Sequence, residues 1–180
     1  MQEVTIHDKT FEVLIAANDI QQRVAQIAAD INENYAEKKP LFLGVLNGAF
    51  LFAADLFKNI SVPCEISFIR VSSYQGTQSS GKVKSLIGLN MDINNRHIIV
   101  IEDIVDTGDT MQYLLAELAQ KNPASVKLAT MVFKPEALKH PLQPDFIGFT
   151  VPPDFLVGYG LDYDGLGRNL NDIFILKNNA

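Results

Sequence analysis

Between positions 102 and 109 the chain sets four carboxylates, Glu102, Asp103, Asp106 and Asp109, within eight residues. Like charges this close repel, and burying them unpaired is expensive. The surrounding stretch IVIEDIVDTGDTM (99–111) suggests their use. The apolar run before Glu102 reads as a buried strand, and DTGDT as a turn that opens a helix. A helix N-terminus presents unpaired N–H groups and a partial positive charge. Gly108 lets the backbone approach an anion, Thr107 and Thr110 add hydroxyls, and a phosphate fits such a turn. Carboxylates just before it suit sugar hydroxyls or magnesium, which favours oxygen ligands and phosphate-bearing substrates. One stretch can then hold a phosphorylated sugar at both ends. The plainer reading makes Asp106 a helix cap and leaves the other acids solvated. A Walker phosphate loop requires G-x-x-x-x-G-K-[ST], which does not occur. A phosphoacceptor aspartate domain leaves the Thr-Gly-Asp-Thr turn unexplained.

The elements that must position these residues follow from periodicity. Residues 4–14 read as extended, broken around His7-Asp8-Lys9. Asn18 can cap a helix whose apolar positions Ile20, Val24, Ile27, Ala28, Ile31 and Tyr35 recur at helical spacing to about Lys38. LFLGVL (41–46) is a continuous apolar run, as in a strand buried on both faces. Asn47-Gly48 turns the chain, and 49–60 reads as a helix. A strand over 64–74 leads to a small, polar loop over 75–82. Strand 97–103 ends at Glu102 and Asp103. Helix 110–121 follows, then strand 126–133. DFIGFTV, FLVGYG and IFIL give short extended pieces. Strand and helix in alternation imply a mostly parallel twisted sheet flanked by helices, with right-handed crossovers. Ligands in such sheets bind at the carboxyl ends of the strands, where the acids fall.

The 180 residues suit one domain, and 47% apolar residues supply a sizeable core. The formal net charge of -6 weighs against a general nucleic-acid binder, though a local site can oppose it. The lone Cys64 excludes an internal disulfide and fits a cytoplasmic setting. The first residues lack a basic start and an apolar signal core, and no run approaches the roughly 20 apolar residues that cross a bilayer. The three histidines have no metal-ligand spacing.

IVIEDIVDTGDTM closely resembles the signature of purine phosphoribosyltransferases: apolar strand, Glu-Asp, two residues, Asp-Thr-Gly-x-Thr. VLNGAF (45–50) sits where that family has its pyrophosphate loop. SSYQGTQSSGKV (72–83) looks like its closing loop. VFKPEAL (132–138) and DFLVGYGLDYDGLGRNLNDIFIL (154–176) resemble the base-binding part of hypoxanthine (guanine) phosphoribosyltransferases. The resemblance implies the type I fold over 1–180, with a small hood from about 1–16 and 150–180. It also implies transfer of phosphoribosyl from phosphoribosyl pyrophosphate to hypoxanthine, often guanine, with Mg2+, in a homodimer or homotetramer without nucleic acid or membrane.

Carried over residue by residue, the resemblance gives these roles. Glu102 and Asp103 face the ribose hydroxyls and the metal-bound substrate. Asp106 is the general base, suited because glycosyl transfer passes through a cationic sugar and the base must lose a proton. Asp106, Thr107, Gly108, Asp109 and Thr110 cradle the 5′-phosphate. Leu46, Asn47, Gly48 and Arg168 meet pyrophosphate, with the Leu46–Asn47 peptide cis. Lys134 donates to the exocyclic oxygen of the purine. Phe155 stacks on the base, Leu156 offers it backbone, and Asp162 stands beside them for a second magnesium. Ser73 and Tyr74 shield the site from water. Two positions depart from the pattern: many relatives have lysine where this chain has Asn47 and Asp109. The Asp109 side chain is expected to point to solvent. Two other readings are an RNA-binding pyrimidine-operon regulator, which the acidic composition disfavours, and the same chemistry on xanthine or adenine. Lys134 disfavours adenine and is silent on xanthine.

Overall fold

The computed structural model describes residues 2–73 and 83–177. In chain order the elements are β1 (Glu3–Ile6), β2 (Lys9–Ile15), α1 (Ala17–Asn34), β3 (Leu41–Leu46), α2 (Phe50–Lys58), β4 (Glu65–Ser73), β5 (Val83–Ile87) and β6 (His97–Val105). There follow α3 (Asp109–Ala119), β7 (Ser125–Phe133), a single 3₁₀ turn (Pro135–Ala137), β8 (Phe146–Thr150), β9 (Leu156–Val157) and β10 (Ile173–Leu176). The large sheet has the order β5-β4-β3-β6-β7-β8. Its strands run parallel except β5, which pairs antiparallel with β4 at the edge. The expected mostly parallel sheet with flanking helices is therefore present. Periodicity did not single out β5.

Each central strand buries both faces, which is why β3 and β6 read as unbroken apolar runs. Phe42, Ile99 and Ile101 pack with Ile20, Val24, Ile27 and Ile31 of α1 and Phe52 and Leu56 of α2. Their sequence neighbours Leu41, Leu43, Ile98 and Val100 pack on the other face with Met111, Leu114 and Leu118 of α3. Most of these side chains are wholly buried, and each contributes about 1.5–3 kcal/mol relative to exposure.

A second, antiparallel sheet, β1-β2-β10-β9, is the hood. Ile6, Phe11, Val157 and Phe174 form its own small core. The hood also reaches the first helix. α1 begins at Ala17, one residue before the expected cap Asn18, and its N-cap Ala16 has no side chain to offer. The Ala17 N–H is instead accepted by Asp172 Oδ1 at 2.7 Å, from just before β10. The helix ends at Asn34, short of Lys38. Tyr35 is buried in the core as the C-cap, with its N–H on the Ile31 carbonyl. Loss of an N-capping oxygen costs about 1 kcal/mol. We expect Asp172→Ala to lower the melting temperature by about 2–4 °C, read by thermal unfolding. An unchanged melting temperature means the bond carries no stability.

Candidate active site

β6 does not stop at Glu102 and Asp103 as its sequence suggested. Ile104 and Val105 continue the strand because they pair with Val132 and Phe133 of β7. The two acids thus lie inside the strand's last residues. Glu102 is buried, and its Oε2 has no hydrogen-bond partner among the described residues. Burial pushes its carboxyl well above the usual range, and the neighbouring Asp103 carboxylate pushes the same way. Asp103 Oδ1 accepts the Ile104 N–H at 2.9 Å.

The turn after β6 is built on Gly108, the N-cap of α3, whose φ of 82° lies in the left-handed region. The N-cap Gly108 has no side chain to cap with, and the Asp109 N–H is accepted instead by Thr107 Oγ1 at 3.4 Å. Asp106 is therefore not the helix cap. Its Oδ2 accepts from Lys134 Nζ at 3.2 Å. Lys134 is 4% exposed, whereas the Asp106 side chain is 50% exposed. The Lys134 N–H also donates to the Val105 carbonyl at 2.9 Å, so the ends of β6 and β7 are joined twice.

Two adjoining pockets open here. One, of about 240 Å³, is lined by Glu102, Asp106, Thr107, Gly108 and Thr110. The other, of about 220 Å³, is lined by Asp103, Asp106, Lys134, Phe155, Leu156 and Asp162. Asp106 lines both. Successive strand residues face opposite ways, and Glu102 opens onto the first pocket while Asp103 opens onto the second. Phe155 is 45% exposed, with its ring edge-on to Tyr163 at 5.7 Å between centroids.

The remaining expected residues gather around this centre. The Leu46–Asn47 peptide is cis. A Cβ at Gly48 would overlap the Asp103 carboxylate, and a Cβ at Gly160 would overlap the Gly48 carbonyl. Two glycines thus let the hood loop, the Asn47–Gly48 turn and Asp103 stack in direct contact. Arg168 pairs with Asp162 at 2.6 Å and donates to the Gly160 carbonyl at 2.6 Å. Asp162 also accepts the Gly165 N–H at 2.7 Å. Ser73 ends β4; Tyr74 and the loop 75–82 lie outside the described residues.

Three residues here escaped the sequence reading. Arg70 donates to Asn47 Oδ1 at 2.6 Å, setting a cation beside the expected pyrophosphate turn. Lys139 and His140 reach Asp109 at 3.2 and 2.7 Å, so the Asp109 side chain is held rather than simply pointed at solvent. An unpaired acid beside a phosphate turn was the available signal for a nearby cation.

Residues 14–164 match the phosphoribosyl transferase domain. The chain belongs to this family. It is 42% identical over 167 residues to the hypoxanthine-guanine phosphoribosyltransferase of Bacillus subtilis strain 168, covering 92% of this chain and 93% of that one. It is 40% identical over 174 residues to the bifunctional protein TilS/HprT of Listeria monocytogenes serotype 4b. That match covers 96% of this chain, which spans only 27% of the length of that relative. A solved structure of Trypanosoma cruzi hypoxanthine phosphoribosyl transferase superposes with a TM-score of 0.87 at 33% identity, covering 97% of this chain and 95% of that one.

The state of Glu102 gives a pH-dependent expectation. Its folded carboxyl holds a proton more tightly than the unfolded one. Below the ordinary glutamate range both states are protonated and nothing is lost. Above it the unfolded chain releases the proton first, so this group lowers stability as pH rises. Glu102→Gln removes that penalty. In metal-free buffer the variant should melt above wild type at about pH 7.5, with the gap closing toward about pH 4. A gap independent of pH contradicts the assignment.

Proposed function

We propose that this chain transfers 5-phosphoribosyl from phosphoribosyl pyrophosphate to hypoxanthine, and to guanine, releasing pyrophosphate in purine salvage. The observation that carries this reading is the place of Asp106, on the wall shared by the two pockets and in contact with a buried lysine. The Gly108 turn receives the 5′-phosphate on its N–H groups. The base lies in the second pocket against Phe155. Lys134 has donors and no acceptor, so it favours a keto oxygen over an amino group at that edge of the purine.

In the reaction the bond from the anomeric carbon to pyrophosphate breaks and a bond to the imidazole nitrogen of the purine forms. Asp106 accepts the proton which that nitrogen loses. Its carboxylate and that of Asp103 oppose the positive charge that builds on the sugar. Arg70 stands on Asn47 of the expected pyrophosphate turn and Arg168 on the Gly160 carbonyl beside it, and a planar guanidinium suits that ligand. Ser73 and Tyr74 close over the site in this reading.

Magnesium fits the acids present. Glu102 has a buried, unpartnered oxygen, and Asp103 stands next to it. Among the described residues no three His, Cys, Asp or Glu side chains converge on one point. Magnesium suits a site of one or two carboxylates completed by substrate oxygens and water. Glu102 and Asp103 would hold it directly or through the ribose hydroxyls, with Asp162 offering a second position. Bound there, it would neutralise the departing pyrophosphate.

The setting we propose is a cytoplasmic enzyme, one phosphoribosyltransferase unit over 1–180, working as a homodimer or homotetramer. No helix among the described residues is long and apolar enough to cross a membrane. Steady-state assays with hypoxanthine, guanine, xanthine and adenine should give turnover with the first two, dependent on magnesium. Full activity in excess chelator contradicts the metal assignment, and preference for adenine contradicts the role of Lys134. Lys134→Gln should lower kcat/KM for hypoxanthine by roughly 10–100-fold, the worth of a charged hydrogen bond, with a smaller effect on KM for phosphoribosyl pyrophosphate. Equal losses for both substrates remove Lys134 from the base pocket.

A further inference from the structure

Asp109 is the first residue of α3 and adjoins the turn read as a phosphate cradle. A bare carboxylate there would repel a phosphate dianion. This one is fully engaged. Oδ1 contacts His140 Nε2 at 2.7 Å, and Oδ2 accepts from Lys139 Nζ at 3.2 Å and from Thr107 Oγ1 at 2.9 Å. These partners, His140 foremost, hold the carboxyl below the usual range. Lys139 cancels its charge, and His140 adds a positive one when protonated. The cluster as a whole does not oppose an anion.

The same cluster joins two pieces of chain. The Lys139 N–H donates to the Thr107 carbonyl at 3.0 Å. Leu138 and Leu142 lie under Gly108, so that a Cβ there would meet them at 3.2 and 3.6 Å. At the other end of the segment, Lys134 is fastened to Val105 and Asp106. The stretch 134–142 is thus attached along the whole turn 105–109, and the Asp109 side chain adds Lys139 and His140 to the contacts at its far end.

We propose that Asp109, Lys139 and His140 form a positioning clamp that draws segment 138–142 against the turn and fixes Thr107 and Gly108 in the shape that receives the 5′-phosphate of the sugar. The three residues are positioning residues. Asp109 acts through its side-chain partners, not by touching the ligand with its carboxylate. This inference rests on the reading of the turn as a sugar-phosphate site.

The clamp and a simple charge account make opposite predictions for Asp109→Lys. That change puts a cation beside the phosphate, so by charge alone binding should tighten. In the clamp it sets the introduced ammonium against Lys139 and His140 and releases the segment. We expect KM for phosphoribosyl pyrophosphate to rise about tenfold, as for loss of a charged hydrogen-bond set, with KM for hypoxanthine nearly unchanged. Exposed ion pairs contribute little to global stability, so the melting temperature should barely move. The double variant Asp109→Lys, Lys139→Glu restores an opposite pair and should recover most of the loss. An unchanged or lower KM in the single variant, or no recovery in the double, overturns the clamp. Calorimetric titration with inorganic phosphate reads the turn without turnover and should follow the same order. A wild type that binds phosphate in that order without turning over sinks the function and keeps the clamp. A wild type that binds no phosphate overturns both.

Discussion

Lys134 is 4% exposed, and an ammonium taken that far out of water must have a counter-charge close by. Asp106 is that charge, at 3.2 Å. The pair connects the end of β7 to the turn after β6, and the backbone bond from Lys134 to Val105 repeats the connection. Asp106 is half-exposed while Lys134 is not, so the acid can face ligands on both sides and the lysine can face only one. The Gly108 turn lies on one side of Asp106. Phe155, Leu156 and Asp162 of the hood segment lie on the other. The layout of the site follows from where this one cation had to be neutralised.

A chain with net charge -6 can hold a polyanion only if its local acids are committed elsewhere. Here each has a distinct environment. Asp109 is occupied by Lys139, His140 and Thr107. Asp162 is paired with Arg168. Glu102 is buried with its carboxyl shifted upward, which keeps a proton on it or calls for a cation. Asp103 is pressed against the Gly48 turn and accepts a backbone N–H. The crowding of acids at 102–109 is tolerated because Asp106 and Asp109 each have a cationic partner, while Glu102 and Asp103 stay close enough that one pushes the other's carboxyl up.

Apolar runs carry the large sheet in the sequence, because strands buried on both faces have no alternation to obscure them. β3, β6 and β7 were legible for that reason. The hood was less so, because β2 pairs with β10 across most of the chain length. The start of α1 was misread at Asn18 because its true acceptor, Asp172, is 155 positions away. β6 outran its expected end because pairing to β7 outweighed the acids inside it. From its own residue types the acidic turn suggested a phosphate site, and the structure builds that turn on Gly108 ahead of α3. The pairing of Asp106 with Lys134 was not legible, since nothing local links positions 28 apart; the family resemblance gave each residue a separate role. Arg70, Lys139 and His140 were missed because isolated cations look like surface charges until their partners are seen.

The central claim is that Asp106 takes the proton from the base. Asp106→Asn tests it most directly. An amide oxygen still accepts from Lys134, and Gly108 still caps α3, so fold and sugar-phosphate binding should persist. The amide cannot take the proton. Turnover of hypoxanthine should fall by roughly 10²–10⁴-fold, the usual worth of a general base, while KM for phosphoribosyl pyrophosphate stays close to wild type and the melting temperature falls because the buried Lys134 loses its counter-charge. A folded variant that turns over within a few-fold of wild type would contradict the account and leave Asp106 as no more than the counter-charge of Lys134.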